Sequence, residues 1–501
     1  MCGVLGISAN SHVNQDLFDG LTILQHRGQD ASGIATFDGE KFYMRKGNGL
    51  VRDVFFSRHM QRLTGSMGIA HVRYPTAGCN SSWEAQPFFV NSPFGIALAH
   101  NGNLTNADLL SKWLFKENLR HLNTSSDSEV LLNVLANKIL KIHKTELEAE
   151  DIFEAVKGTM QKAKGSYAVV AMIAGQGLVG FRDPYGIRPL CIGKREHPMG
   201  TEYCLSSESL VFEALGFEFL RDVKAGEAVF IKNGELHSKS CLDTKSFTPC
   251  IFEYVYLARP DSMIDDISVH KSRLRMGDML ARQIKEDLKN GTIEPVDIVV
   301  PVPESARTAA SELAHVLSVP YREGFVKNRY IGRTFIMPGQ QIRKKSIKYK
   351  LSAVELEFKG KNVMIVDDSI VRGNTSKQIV EMARDAGAKN VYFASAAPAL
   401  HYPCVYGVDM PSKDDFVANG LNTEEIAKVI GADKLYYQKV EDLIEAVRKK
   451  TPVENFCTAC FDGKYPTPEV DDELLADMEA ARNKKLNKGG KDPEESPVTL
   501  L

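Results

Sequence analysis

The sequence lacks the features that define several classes of protein. Its longest apolar stretch, around Tyr167 to Ala174, is too short to cross a bilayer. The N-terminus has no basic segment followed by an apolar core, so we predict no secretory signal, no membrane partner and a cytoplasmic location. With 62 basic and 64 acidic residues, the net charge of −2 offers no basic excess for binding nucleic acid.

The cysteine count argues against a protein stabilised by disulfides. Nine cysteines cannot form a complete disulfide framework, and in the cytosol they would stay reduced. The thiols are therefore candidates for catalysis, metal binding or packing. The length of 501 residues, with 43% hydrophobic and 25% charged residues, predicts a globular protein of two or three domains.

The first part of the chain has short apolar runs separated by glycine turns. Ser166–Ile173 and Leu178–Phe181 flank such a turn, and Asn233-Gly234 is a favoured two-residue hairpin turn. One helix interrupts the strands, and the pattern Ser126–Glu129 predicts a capping box at its start. This pattern is typical of an α+β domain, which we place at residues 1–240.

The second part alternates strands with helices, which predicts a parallel sheet in a domain at residues 250–465. A capping box formed by Thr375 and Gln378 is predicted to open one helix, and Gly387 to end it. Residues 466–501 read as a charged helical tail. The predicted strands are Val296–Val300, Asn362–Val366 and Val391–Ala394, and a helix is predicted over Ser305–Leu317.

A cysteine follows the initiator methionine directly. Because Cys2 is small, the initiator methionine can be removed, and its removal would leave Cys2 as the N-terminal residue. Its thiol could then act as a nucleophile with its own α-amine as base, since the pKa of that amine lies near 8. The plain alternative is a surface cysteine without a role.

Four further residues describe a pocket for an α-amino acid whose amide is cleaved. Arg73 can hold a carboxylate in two parallel bonds, and Asp127 can bind an ammonium. Asn101 with the N–H of Gly102 can stabilise an oxyanion. Taken singly, a surface charge, a helix cap and a hairpin turn are the simpler interpretations.

Together, the segments Cys2–Gly6, His26–Gly28, His71–Thr76 and His100–Asn103 resemble the glutaminase domain of class II glutamine amidotransferases. These are N-terminal-nucleophile hydrolases with an αββα sandwich. The resemblance implies Cys2 as nucleophile, Arg73 and Asp127 as glutamine ligands, and Asn101 with Gly102 as oxyanion hole.

A second motif, Val363–Thr375, places Asp367 and Asp368 at the end of a buried strand and a polar loop before a helix. Loop N–H groups at a helix start suit a phosphate, and adjacent carboxylates suit ribose hydroxyls and Mg²⁺. The string resembles the phosphoribosylpyrophosphate (PRPP) motif of type I phosphoribosyltransferases, with Ser305 near the metal. The segment Lys327–Phe335 is either a solvated loop or a lid over PRPP. The PRPP-binding residues implied are Asp367, Asp368, Ser369, Arg372, Gly373, Asn374, Thr375 and Lys327.

Both motifs in one chain resemble the glutamine PRPP amidotransferases, over roughly residues 1 to 465. The resemblance implies transfer of glutamine-derived ammonia to C1 of PRPP, giving 5-phosphoribosylamine in the first committed step of purine synthesis. It also implies feedback inhibition by purine nucleotides and a homotetramer. The alternative from another class is a regulator that senses PRPP or a nucleotide, although no helix-turn-helix pattern or basic face accompanies it.

Four other cysteines have motif-like surroundings. Cys457 and Cys460 form a C-x-x-C pair, Cys250 lies at the domain junction, and Cys404 follows a strand. Spacing alone leaves zinc, an iron–sulfur cluster and buried free thiols open. One branch of the family carries a [4Fe–4S] cluster on cysteines in these four contexts, so the resemblance implies that cluster here. We expect Cys79, Cys191, Cys204 and Cys241 to be packing residues.

Overall fold

The computed structural model describes residues 2–74, 82–243, 246–328, 351–410, 412–449 and 451–487. In the first part of the chain, the described strands form two antiparallel sheets, ordered β11-β9-β10-β1-β4-β2-β3 and β13-β12-β8-β7-β6-β5. The strands are β1 (Gly3–Ser8), β2 (Ala31–Phe37), β3 (Phe42–Asn48), β4 (Met67–Arg73), β5 (Phe88–Val90), β6 (Ile96–Leu104), β7 (Gly165–Ile173), β8 (Gly177–Arg182), β9 (Cys191–His197), β10 (Gly200–Ser206), β11 (Glu218–Asp222), β12 (Glu227–Lys232) and β13 (Glu235–Ser240).

Helices cover the outer faces of both sheets. Leu21 and Phe212 pack on the outside of the first sheet, and Leu131 and Val156 on the outside of the second. The inner faces share a third core that includes Val4 and Val170. This is the predicted αββα sandwich, which is confirmed. The helices are α1 (Asn14–Ile23), α2 (Val51–Val54), α3 (Ser57–Met60), α4 (Ala107–Asn118), α5 (Asp127–Leu140), α6 (Ala149–Lys162) and α7 (Leu210–Leu215), with 3₁₀ turns at Leu24–Arg27 and Ser82–Glu84.

The second part contains the predicted parallel sheet, in the order β16-β19-β20-β21. Apolar residues of the sheet alternate between a core shared with α8, α9 and α13 and one shared with α11 and α12. Two hairpins, β14–β15 and β17–β18, accompany the sheet. The strands are β14 (Met263–Ile264), β15 (Ile267–Ser268), β16 (Ile298–Pro301), β17 (Phe325–Lys327), β18 (Leu351–Ala353), β19 (Asn362–Asp367), β20 (Asn390–Ser395) and β21 (Lys434–Tyr437). The helices are α8 (Val269–Asn290), α9 (Arg307–Leu317), α10 (Glu355–Phe358), α11 (Asn374–Asp385), α12 (Thr423–Ile430), α13 (Val440–Arg448), α14 (Ala459–Asp462) and α15 (Asp472–Asn487), with a π-helical turn at Glu253–Leu257 and a 3₁₀ turn at Lys413–Asp415.

Both predicted hairpins are present, and Asn233 and Gly234 have the positive φ angles of 52° and 75° that their turn requires. The two predicted capping boxes are wrong in detail. Ser126 does cap α5, but its side chain accepts from Ser128, while the Glu129 carboxylate instead accepts the N–H groups of the preceding loop. Helix α11 begins after Gly373 with no side-chain cap, and it ends before Gly387 as predicted.

Among the described residues, no helix combines the length and the hydropathy that are needed to span a bilayer.

Candidate functional site

Cys2 lies at the start of β1, beside the polar residues of β6. Its backbone N–H donates to Asn101 Oδ1 at 3.2 Å. Because the oxygen of that amide faces Cys2, its Nδ2 points elsewhere, and this buried donor has no hydrogen-bond partner among the described residues. An unpaired buried donor beside a thiol is the arrangement that can bind an oxyanion formed on the carbon under attack.

Gly102 follows Asn101 within β6, so the two residues do not form a hairpin turn. Its φ is +144°, and a Cβ at this position would lie 2.1 Å from the carbonyl oxygen of Ser166 on β7. Only glycine allows this approach of two strands. The structure therefore brings Cys2, Asn101 and Gly102 together at one end of the sandwich.

Asp127, the first residue of α5, lies next to the same strand. Its Oδ2 accepts the N–H of Leu104 at 2.9 Å and lies 4.0 Å from His100 Nδ1. Burial lowers the pKa of His100, with the charge of Asp127 opposing that shift, so the ring is neutral near pH 7. The Asp127 side chain remains partly exposed beside β6.

Arg73 ends β4, which pairs directly with β1, the strand that follows Cys2. Its Nε donates to Asp30 Oδ2 at 2.8 Å, and Nη2 lies 2.6 Å from the same oxygen. Both side chains are nearly buried, so the ion pair fixes the guanidinium in place. The rest of the predicted motif after Tyr74 lies outside the described residues, as does Cys79.

The second site lies at the carboxyl ends of β16 and β19. Asp368 Oδ1 accepts from Ser369 Oγ at 2.7 Å, and its other oxygen accepts from Ser305 Oγ. Burial raises the pKa of Asp367, and the neighbouring charge of Asp368 raises it further. Burial also raises the pKa of Asp368, against the hydrogen bonds of the two serines. A buried and a partly buried carboxyl group side by side favour a metal or a hydroxyl-rich ligand.

The loop after these carboxylates turns directly into α11. Gly373, the residue before α11, has a left-handed backbone conformation with φ +73°, and it packs on Val417. The predicted phosphate-binding residues Ser369, Arg372, Gly373, Asn374 and Thr375 are contiguous here. Lys327 ends β17 with an exposed side chain, and the predicted lid from 329 onward lies outside the described residues.

The four motif-like cysteines come from three chain segments that pack together. Cys457 N–H donates to Pro249 O, and the backbones of Cys250 and Cys457 pair as a β-bridge. Cys460 O accepts from the N–H groups of residues 401 and 402, which precede Cys404. Cys404 Sγ accepts from the N–H of Tyr406 at 3.4 Å. These backbone contacts bring the three chain segments together.

The thiols of Cys250, Cys457 and Cys460 are protonated near pH 7, and they lie close enough to influence one another when ionised. Burial raises the pKa of Cys250 to about 11 and the pKa values of Cys457 and Cys460 well above the ordinary value. Burial alone would lower the pKa of Arg188, but it is raised by Cys250, Cys404 and Cys457 in their ionised form and by the charge of Glu253. Within the described residues, no set of three or more Cys, His, Asp or Glu is arranged to hold a metal ion.

A buried charge network that no sequence motif predicts joins the two halves. Arg27 donates to Glu208 and, at 2.8 Å, to Glu253 Oε2, while Arg188 donates to the other oxygen of Glu253 at 3.1 Å. Burial raises the pKa of Glu208, but the charges of Arg27 and then His26 outweigh it and lower the pKa. Glu253, in the π-helical turn, thereby links the glutaminase sandwich to the cysteine segments.

The chain matches two domain families and a set of curated relatives. A glutamine amidotransferase domain family matches residues 71–214, and a phosphoribosyl transferase domain family matches residues 263–404. Relatives named amidophosphoribosyltransferase come from Pseudomonas aeruginosa, Escherichia coli and Saccharomyces cerevisiae. They are 58%, 55% and 51% identical over 96%, 96% and 97% of this chain, and over 96% of each relative.

Two solved structures are similar over nearly the whole chain. One is the glutamine PRPP amidotransferase of B. subtilis complexed with ADP and GMP, with a TM-score of 0.82, 37% identity, and coverage of 95% of this chain and 100% of that chain. The other is described as the allosteric regulatory enzyme of purine biosynthesis, with a TM-score of 0.84, 38% identity, and coverage of 95% and 99%.

Proposed function

This chain belongs to the amidophosphoribosyltransferase family, and from that premise we propose which of its residues perform each half of the reaction. The family transfers ammonia from glutamine to C1 of PRPP, giving 5-phosphoribosylamine, glutamate and pyrophosphate in purine synthesis. Relatives that match 96% of the chain are this enzyme, which leaves no support for the alternative of a regulator that only senses PRPP or a nucleotide. The observation that carries the assignment is the contact of Cys2 with Asn101.

In the glutamine half, Cys2 attacks the side-chain amide carbon. Removal of Met1 frees the α-amine, whose N–H is held by Asn101 Oδ1 while its lone pair takes the thiol proton. The unpaired Nδ2 of Asn101 and the N–H of Gly102 bind the oxyanion. Ammonia leaves from the resulting tetrahedral intermediate with that proton, and water hydrolyses the thioester to glutamate and free thiol.

Arg73 and Asp127 are proposed to hold the α-carboxylate and α-ammonium of glutamine. The pair with Asp30 fixes the guanidinium of Arg73, and the N–H of Leu104 fixes the Asp127 carboxylate. Each group is thus oriented by the fold before substrate arrives, which lowers the entropy lost on binding.

In the PRPP half, the loop 369–375 is proposed to bind the 5′-phosphate with its N–H groups and Arg372. Asp367 and Asp368 would bind the ribose hydroxyls and, with Ser305, a Mg²⁺ ion. The fit is supported by the buried Asp367 and the partly buried Asp368, whose raised pKa values a nearby cation would lower. When bound, Mg²⁺ supplies positive charge to the departing pyrophosphate. Lys327 is proposed to contact PRPP from β17.

Cys250, Cys404, Cys457 and Cys460 are proposed to hold a [4Fe–4S] cluster. An all-thiol donor set gathered from three segments suits such a cluster, and so does the nearby cation of Arg188 once the thiols ionise. The bound cluster would cross-link the domain junction at residues 241–250 to the end of the phosphoribosyltransferase domain. We keep the limits 1–240, 250–465 and 466–501 as proposed domain bounds.

The glutaminase assignment is tested with Cys2→Ala. We expect glutamine-dependent synthesis of phosphoribosylamine to be abolished while ammonia-dependent synthesis remains, because the PRPP site does not use the thiol. Glutamate and pyrophosphate release are measured with each nitrogen source. Persistent glutamine use, or loss of both activities in a folded protein, would contradict the proposal.

The cluster is tested by anaerobic purification followed by iron, sulfide and zinc analysis. About four irons and four sulfides per chain are expected, and Cys404→Ser should remove them. Zinc at one per chain, or no metal with full activity, would contradict the cluster. The matched control is Cys241→Ser, a buried cysteine from the glutaminase sandwich.

Regulation and assembly complete the proposal. The B. subtilis structure contains ADP and GMP, which supports purine nucleotides as feedback inhibitors of this chain as well. We propose a cytoplasmic homotetramer, to be checked by light scattering with and without these nucleotides.

A further inference from the structure

A short segment of the phosphoribosyltransferase domain lies directly against the oxyanion strand of the glutaminase domain. Gly407 has φ +94°, and a Cβ built on it would lie 2.6 Å from the carbonyl oxygen of Gly102 and 2.8 Å from its carbonyl carbon. Real side chains do not approach a backbone this closely. Position 407 therefore has to be glycine for the two domains to meet at this point.

Three hydrogen bonds fix the segment in place. Asn103 Nδ2 donates to Val405 O at 2.9 Å, and Tyr406 O accepts from both Ser166 Oγ at 3.0 Å and Arg188 Nε at 2.9 Å. Ser166 and Arg188 are fully buried. Buried donors that lose their acceptors are costly, so loss of the segment would leave one unsatisfied donor on each of these residues.

The segment constrains Gly102 through two adjoining residues, one on the neighbouring strand and one next to it in the chain. Gly102 packs against Ser166, whose hydroxyl holds Tyr406 O, and Asn103 is bound to Val405 O. The backbone around Gly102 thus has little freedom, and part of its constraint comes from the other domain. The position of the Gly102 N–H depends on the same contact.

We propose that Val405–Gly407 is a positioning element for the oxyanion hole of the glutaminase site. The phosphoribosyltransferase domain, through this segment, sets where the Gly102 N–H lies relative to the carbon that Cys2 attacks. The inference rests on the proposed role of Gly102. It makes glutamine cleavage dependent on domain docking, whereas addition of free ammonia to PRPP does not need the contact.

The test is Gly407→Ala, with Gly420→Ala as its matched control. Gly420 also has a positive φ of +72°, but a Cβ there meets nothing within 4 Å, so the control carries the backbone strain without the collision. Glutamine-dependent kcat and KM, ammonia-dependent activity and thermal unfolding are measured for both. Gly407→Ala should lower glutamine-dependent kcat by ~100-fold, the size of a lost oxyanion donor. The KM for glutamine and the ammonia-dependent activity should stay near those of the control.

A second variant covers the case in which Gly407→Ala fails to fold. Asn103→Ala removes one hydrogen bond to the segment and cannot collide with it, so a smaller fall in the same kcat is expected, again without a change in KM. Equal loss of both activities, or an unchanged kcat in both variants, would overturn the inference. If Cys2→Ala abolishes glutamine use while these variants keep it, only the positioning role fails. If Cys2→Ala retains glutamine use, the proposed function itself fails.

Discussion

The two candidate sites are built in opposite ways. The PRPP site is a single run of chain, from Asp367 to the start of α11, to which Ser305 is the main addition. The glutamine site gathers residues 2, 73, 101–102 and 127 from separate strands and a helix, and it also rests on residues 405–407 of the other domain. A contiguous site is set by local geometry, whereas a dispersed one depends on how the whole molecule packs.

The difference predicts which of the two activities a substitution in each site will lower. Changes within the contiguous site should abolish phosphoribosyl transfer and leave the thiol chemistry intact. Changes in the dispersed site should affect glutamine use alone, with sizes that depend on how directly each residue meets the substrate. The predictions below test that separation.

The largest effect is expected from Asp367→Asn. Loss of one of two adjacent carboxylates should lower PRPP-dependent synthesis by ~1000-fold with either glutamine or ammonia, because several kcal/mol of charge stabilisation by the metal are lost. Hydrolysis of glutamine to glutamate should persist. The control Asp385→Asn changes an exposed carboxylate at the far end of α11 and should behave as wild type. A selective loss with glutamine only would contradict the separation of sites.

Asn101→Ala is the corresponding change in the dispersed site. The buried Nδ2 that has no partner among the described residues would be removed, together with the acceptor of the Cys2 N–H. Glutamine-dependent kcat should fall by ~100- to 1000-fold, as measured by glutamate release, while ammonia-dependent activity is kept. A comparable fall in both activities would mean that Asn101 supports the fold rather than the oxyanion.

The sequence predicts the contiguous site more completely than the dispersed one. Asp367, Asp368 and the loop to Thr375 adjoin in the chain, so a motif names nearly every group. Cys2, Asn101 and Asp127 were found because a nucleophile, an amide and a helix start each leave a local pattern. Glu253 and the segment Val405–Gly407 leave none, since their partners lie in the other domain and only tertiary packing brings them together.

Capping was predicted less well than topology. The alternation of strand and helix depends on many residues, so it survives local errors. A cap depends on one side chain, and at Glu129 the loop N–H groups of Asn123 and Thr124 outcompete the predicted partner.

Asp127→Asn should separate substrate binding from chemistry within the dispersed site. The amide still accepts the N–H of Leu104, so the helix start is kept, but the charge offered to the ammonium of glutamine is lost. Loss of a charged hydrogen bond should raise the KM for glutamine by ~10- to 100-fold, with a smaller change in kcat. Steady-state kinetics at saturating PRPP decide the point. A lower kcat at unchanged KM would mean that Asp127 orients the backbone at Leu104 and does not bind the ammonium.

The smallest expected effect concerns the domain contact itself and involves no catalytic group. Asp222 faces the Asp265 carboxylate of the β14–β15 turn, which is paired with Arg182 at 2.6 Å. Burial, then the charge of Asp265, raises the pKa of Asp222 to about 8, with Asp266 adding to the shift and Arg182 opposing it. The folded protein therefore keeps a proton that the unfolded chain loses near pH ~4.

Stability should fall as the pH rises through that window and level off above about 8, because the folded state binds the extra proton there. Asp222→Asn stays neutral and can still accept a hydrogen bond. Its melting temperature should therefore rise relative to that of wild type as the pH increases between the unfolded and the folded pKa of Asp222. Asp243→Asn, which changes an exposed carboxylate, serves as control, and its melting temperature should follow that of wild type at every pH. Parallel curves for Asp222→Asn would mean that the carboxylate is ionised in the folded protein. A shift in ammonia-dependent activity along with stability would show that the contiguous site also depends on the domain contact. Local geometry alone would then not be enough to set that site.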